Sequence, residues 1–157
     1  MIPERQHLRR LNEVWAPSPI YFITTCTNGR AARLATREFH AIAEEVWRNC
    51  TTNYGWSIGR YVIMPDHVHF FAAEARGTKR LSDFVGKWKE WTAKYAARRL
   101  GYAMPLWQPE FFDHVLRASE SYDQKWQYVR ENPVRAGLVL APDDWTYQGG
   151  LADLRFD

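Results

Sequence analysis

The sequence predicts an α+β fold: a ferredoxin-like α/β sandwich with a four-stranded antiparallel sheet, two helices on one face, and an added C-terminal helix. Three observations predict it. Four β-branched and aromatic segments are bounded by turn signals, three segments carry apolar residues at helical spacing, and the order is strand, helix, strand, strand, helix, strand, helix. At 157 residues, with no repeat, low-complexity tract or linker, the chain reads as a single domain over 1–157.

Each element has a local cause. Residues 20–27 (IYFITTCT) lie between Pro17, Pro19 and the Asn28-Gly29 turn signal, and read as a first strand. Thr36 is a good N-cap, and Phe39, Ile42, Ala43, Val46, Trp47 and Cys50 follow at helical spacing. Tyr54-Gly55 breaks that helix. Residues 56–64 (WSIGRYVIM) form the second strand, Pro65-Asp66 turns the chain, and residues 67–73 (HVHFFAA) form the third. Leu81, Phe84, Val85, Trp88, Trp91, Thr92 and Tyr95 mark a second helix, ended by Gly101, and residues 111–117 make a fourth strand. Ser119 caps a third helix running to about Asn132, where Pro133 must interrupt or kink it. In such a fold one sheet face lies under the two helices and the other is expected to stand free for ligands.

Composition narrows the function classes. Hydrophobic residues are 46% and charged residues 25%, an ordinary globular mixture. No apolar run approaches the roughly 18 residues of a membrane span, and the charged start MIPERQHLRRLNEV lacks the apolar core of a secretory signal. Cys26 and Cys50 form no CxxC pair, which points to reduced thiols and against a zinc-cysteine site. The expected location is cytoplasmic, with no membrane partner.

Aromatics reach 15%, with eight each of Phe, Trp and Tyr, which suits either a dense core or a surface that stacks nucleobases. Net charge is +3, unevenly spread: residues 76–101 hold eight basic and two acidic side chains, whereas the last twenty residues hold four aspartates and one arginine. A basic middle beside an acidic tail suits a polyanion partner or a merely solvated helix face. Lys87, Lys89 and Lys94 are the candidate phosphate contacts on the second helix, assigned to its outer surface. Arg5, Arg9 and Arg10 are further candidates for contacting such a polyanion, a solvated tail being the alternative.

His67 and His69 stand at i and i+2 on a strand, so both imidazoles face one way while Val68, Phe70 and Ala72 enter the core. Such a pair suits a metal ion, or is simply two surface histidines on an alternating strand. On the third helix, Tyr122, Trp126 and Val129 form an apolar stripe. Tyr128 lies about 240° round from the start of that stripe, with Gln124 and Asn132 one turn to either side. Tyr128 is thus either a partly exposed tyrosine or a functional one, and Asn132 either an N-cap or a functional amide.

Three segments, YVIMPDHVHFF, LWQPEFFDHVLR and QYVRENPVRAGLV, in that order and spacing, resemble the single-tyrosine HUH transposases, most closely the REP-associated tyrosine transposases. The resemblance runs from the first strand to about Leu140. It implies the ferredoxin-like fold, cutting and rejoining of single-stranded or hairpin DNA, and Mg²⁺ or Mn²⁺ as cofactor. It also implies His67 and His69 as metal ligands, Asn132 as third ligand and Tyr128 as nucleophile. Relatives work as dimers or monomers, so monomer and homodimer both stay open.

The chemistry accounts for the residue types. A free phenol ionises near pH 10, so the phenolate costs about 4 kcal/mol at neutral pH, and a divalent ion on the scissile phosphate offsets much of this. A 5′-phosphotyrosine conserves the bond energy needed to join a new strand. Two imidazoles suit Mn²⁺ better than Mg²⁺. Asp66 is placed to orient His67 or to cap the turn, Asp113 and His114 are expected in structural hydrogen bonds, and Trp88 and Trp91 in the core. The alternative function is a catalytically silent hairpin-DNA-binding module of the same fold. An RNA-binding module of the RRM type is disfavoured, because no RNP1-like run is present.

Overall fold

The computed structural model describes residues 13–16, 19–75 and 79–156. Strands β2 (Ile20–Cys26), β3 (Trp56–Ile63), β4 (His67–Glu74) and β5 (Phe112–Leu116) build the expected antiparallel sheet. A fifth strand, β6 (Gln148–Gly150), extends it to the order β5-β2-β4-β3-β6. A separate parallel pair joins β1 (Glu13–Ala16) to β7 (Asp153–Phe156). The acidic C-terminal stretch is therefore part of the fold. Trp145 Nε1 donates to Ile63 O at 3.0 Å, and Leu154 is buried.

Helices α1 (Arg37–Tyr54) and α2 (Leu81–Leu100) cover one sheet face. Thr36 caps α1 as its chemistry predicts, accepting from Phe39 N at 3.1 Å. Gly55 closes α1 in the left-handed conformation at φ 77°, which a side chain rarely adopts without cost. The core beneath is aromatic: Trp47 stacks on Trp88 at 5.0 Å and Trp56 on Phe84 at 5.7 Å. Phe39, Tyr61, Phe70 and Phe84 are fully buried with them. Most of the aromatic excess thus serves packing. Trp88 is core as expected, but Trp91 is exposed, with Lys94 Nζ 4.6 Å above its ring.

The second face is not open, contrary to the sequence expectation. Helix α3 (Ser119–Arg130) lies on it, burying Trp126 and Val129 against Ile20, Val62, Met64, Phe71 and Leu116. The apolar residues that alternate outward on β2, β4 and β5 need a cover, because a sheet face of this size left in water would forfeit the burial energy of each. Pro133, buried, separates α3 from a short α4 (Asn132–Arg135). The cysteines are both buried and free, and no helix among the described residues is long and apolar enough to cross a membrane.

Candidate active site

Strand alternation carries His67 and His69 to the α3 side of β4, with ring centroids 4.7 Å apart and planes at 74°. The surrounding chain fixes each ring through Nδ1. His67 Nδ1 lies 2.8 Å from Asp66 Oδ1, and Arg30 Nε donates to Asp66 Oδ2 at 3.1 Å. Burial works against the Asp66 carboxylate, but hydrogen bonds to His67 and Arg30 outweigh it, so its pKa falls below the ordinary value. His69 Nδ1 lies 2.8 Å from Thr24 Oγ1, the hydroxyl of its register partner on β2. Phe22 stacks on the His69 ring at 5.1 Å. Burial first, then His67, Lys125, Arg135 and Arg30, push the His69 imidazole down to about 3. With both Nδ1 atoms engaged, the two Nε2 atoms are left for a ligand.

Tyr128 is placed by its neighbours on α3. Trp126 and Val129 anchor the helix to the sheet, which turns Tyr128 outward at 62% exposure. The break at Pro133 then folds Arg135 back over it. The Arg135 guanidinium sits 3.9 Å from the Tyr128 ring centroid and donates to Tyr128 O at 2.8 Å and to Asn132 Oδ1. His67, His69, Lys125, Tyr128, Asn132 and Arg135 line one cleft of about 470 Å³. Tyr122, by contrast, packs edge-on against Phe71 at 4.9 Å, and burial raises its phenol to about 12.

The donor set in the cleft fits a divalent ion: two imidazole nitrogens and one amide oxygen, with no carboxylate competing for them. Among the described residues, no group of three or more His, Cys, Asp or Glu side chains is gathered at a metal-binding spacing. The two histidines and the amide line the same cleft and are the groups there that could hold such an ion.

Other predicted positions fall elsewhere. Lys89 does not lie on the outer surface of α2. It is buried, and its ammonium donates to the carbonyls of Gln108, Pro109 and Glu110 at 2.7, 3.2 and 2.9 Å, so it ties a loop down instead of meeting a phosphate. Lys87 and Lys94 are exposed, both paired with Glu90 at 3.3 and 2.9 Å, on the helix layer across the sheet from the cleft. Arg5, Arg9 and Arg10 lie outside the described residues. Asp113 and His114 are exposed on β5, and their side chains make no hydrogen bond among the described residues. Sequence reasoning missed Arg135, Lys125 and Thr24. The i, i+3 spacing from Asn132 could have flagged Arg135, but Thr24 is brought to His69 only by strand register.

Known proteins share this architecture. The family model for IS200-like transposases matches residues 16–132. A REP-associated tyrosine transposase of Escherichia coli K12 is 25% identical over 127 residues, covering 81% of this chain and 73% of the relative. A solved REP-associated tyrosine transposase bound to a REP hairpin superposes with a TM-score of 0.71 at 22% identity, over 89% of this chain and 79% of the other. A Deinococcus radiodurans structure gives a TM-score of 0.53 at 20% identity, over 74% and 92%.

Proposed function

Because the chain belongs to the IS200-like transposase family, we propose that it cuts and rejoins single-stranded DNA at hairpin-forming repeats, with Tyr128 as nucleophile. In this reading His67, His69 and Asn132 hold Mg²⁺ or Mn²⁺. Hairpin DNA as the substrate is suggested by the similar transposase solved with a REP hairpin. One observation carries the reading: a tyrosine, two histidines and an amide from separate segments line one cleft, with two cations beside them. A divalent ion in that cleft would neutralise charge on the phosphodiester and fix it for in-line attack.

The protein's own residues do the rest. Asp66 and Thr24 hold the two imidazoles in the tautomer that keeps Nε2 unprotonated. Lys125 and Arg135 supply positive charge for the phosphate oxygens. Tyr128 Oη forms a bond to phosphorus as the bond to the 3′ oxygen breaks. The phenolic proton is lost to solvent and the leaving oxygen becomes a 3′-hydroxyl. The 5′-phosphotyrosine keeps a phosphoester of similar energy, so a second 3′-hydroxyl can reverse the step and join a new strand. The Asn132 amide oxygen has a second lone pair for an ion beside the hydrogen bond it accepts from Arg135, whose guanidinium has further donors for a phosphate oxygen.

The test uses a labelled hairpin DNA with a single-stranded extension, incubated with Mn²⁺ and run under denaturing conditions. The wild type should yield a covalent protein–DNA band. Tyr128→Phe, which removes one exposed oxygen, should bind the hairpin and yield none. A band from the Phe variant refutes Tyr128 as nucleophile, and hairpin binding by the wild type without any band leaves only a hairpin-binding module.

A further inference from the structure

Among the described residues three large aromatic rings are exposed: Tyr128 at 62%, Trp91 at 36% and Phe112 at 64%. Tyr128 belongs to the cleft, and Trp91 already holds the Lys94 ammonium against its ring. Phe112 has no ring, cation or hydrogen-bonded partner among the described residues, although it lies in a well-formed strand. An exposed phenyl gains nothing for folding and invites association, so its position matters.

Register places it beside the cleft. Phe112 is opposite Thr24, and Thr24 is opposite His69, whose ring it also holds by hydrogen bond. Two strand spacings put Phe112 about 10 Å from the histidine backbone. On this same face β5 runs from Leu116, buried under α3, through exposed His114 to exposed Phe112, so the helical cover stops where the cleft begins. Two residues along β2 from Thr24, on the same face, Phe22 stacks on His69 and carries Lys125 Nζ 5.1 Å over its ring. This face therefore carries the histidine pair, a cation-topped phenyl and a free phenyl in two adjacent rows. Alternating cations and aromatic faces are the device by which proteins hold single-stranded nucleic acid without reading its sequence.

We propose that Phe112 is a base-stacking subsite for the single strand leaving the catalytic cleft, gripping a nucleobase next to the scissile phosphate. The proposal rests on the DNA-cutting reading of the cleft and deepens it. Lys125 neutralises the phosphate between the reacting position and the stacked base, and the phenyl holds the strand against the sheet. Stacking would reduce the freedom of the reacting phosphate and add affinity for unpaired DNA that a hairpin stem, with its bases already stacked, cannot use.

The test compares two probes of roughly a dozen nucleotides, oligo(dT) and an all-abasic strand of equal length, which carry the same charge. Binding to wild type, Phe112→Ala and Phe112→Trp is measured without metal. Phe112→Ala should lower oligo(dT) affinity about tenfold, within the range known for one base–aromatic stack, and leave abasic affinity unchanged. Phe112→Trp should restore it. At 64% exposure neither change threatens the fold. Equal binding of oligo(dT) by wild type and Phe112→Ala, or a parallel loss for both probes, overturns the proposal. So does an oligomeric state that changes with Phe112→Ala while oligo(dT) affinity does not, since the ring then serves a second copy of the chain. Adduct formation on saturating hairpin, assayed in wild type and Phe112→Ala, reports separately on the cutting reaction. Its absence in wild type sinks the cleft reading whatever the stacking result.

Discussion

Adjacent threonines on β2 make a controlled experiment on how the histidine pair is held. Thr24 Oγ1 bonds His69 Nδ1 at 2.8 Å. Thr25, on the opposite face and fully buried, has a hydroxyl with no hydrogen-bond partner. Valine matches threonine in shape and deletes only the hydroxyl. Thr24→Val strands a buried imidazole nitrogen, at a cost of about 1–3 kcal/mol. It also frees the ring to turn or switch tautomer, which for such outer supports typically costs about 10- to 100-fold in metal affinity. Thr25→Val replaces an unsatisfied polar atom by a methyl group, and should be neutral or stabilising by about 1 kcal/mol. Urea denaturation measures the first quantity and Mn²⁺ titration followed by electron paramagnetic resonance the second. Thr24→Val should lose on both scales and Thr25→Val on neither. Mn²⁺ affinity within twofold of wild type in Thr24→Val would refute the argument that Thr24 orients a metal ligand.

Other outcomes follow from the same contacts. His69, pushed down to about 3 when folded, takes up a proton on unfolding. Its contribution to stability is therefore complete above about pH 6.5 and is lost as pH falls toward 3, at up to about 1.4 kcal/mol per pH unit. His69→Gln should abolish that part of the slope in denaturation curves between those pH values. Lys89→Met, which leaves three carbonyls without their donor, should cost about 2–3 kcal/mol and leave the salt dependence of DNA binding unchanged. Lys125→Gln should instead keep stability and reduce that salt slope by about 0.7 on single strands. A Cβ at Gly149 would lie 2.8 Å from Tyr61 Oη, a hydroxyl pinned by His40 and Glu44. Gly149→Ala should cost about 1–3 kcal/mol, and Tyr61→Phe should recover part of that loss in the double variant on thermal melting.

Much of the site is legible in the sequence because its signals are local. A strand period of two puts His67 and His69 on one face whatever surrounds them. A helical period of 3.6 separates Tyr128 from the stripe of Trp126 and Val129, and Pro133 forces the break that follows. Thr36 caps α1 through an atom three residues away. The same locality explains the misreading of Lys89. Helical spacing places it beside an exposed face, and only the loop at residues 108–110, folded against α2, captures its ammonium.

What the sequence by itself determined is the inventory: the succession of four strands and three helices along the chain, the histidine pair, the outward tyrosine and the amide beyond it. Tertiary structure alone decided which surfaces those groups share. Thr24 and His69 are 45 residues apart and meet through β2–β4 register, and Phe112 reaches the cleft by one further pairing. The covering of the second sheet face by α3, and the return of the C-terminal stretch as β6 and β7, were not visible in any short window. The physical reason is the same in each case. Periodicity and capping are settled between residues a few positions apart, whereas register and face-to-face packing are settled by burying apolar area between segments whose separation in sequence carries no signal.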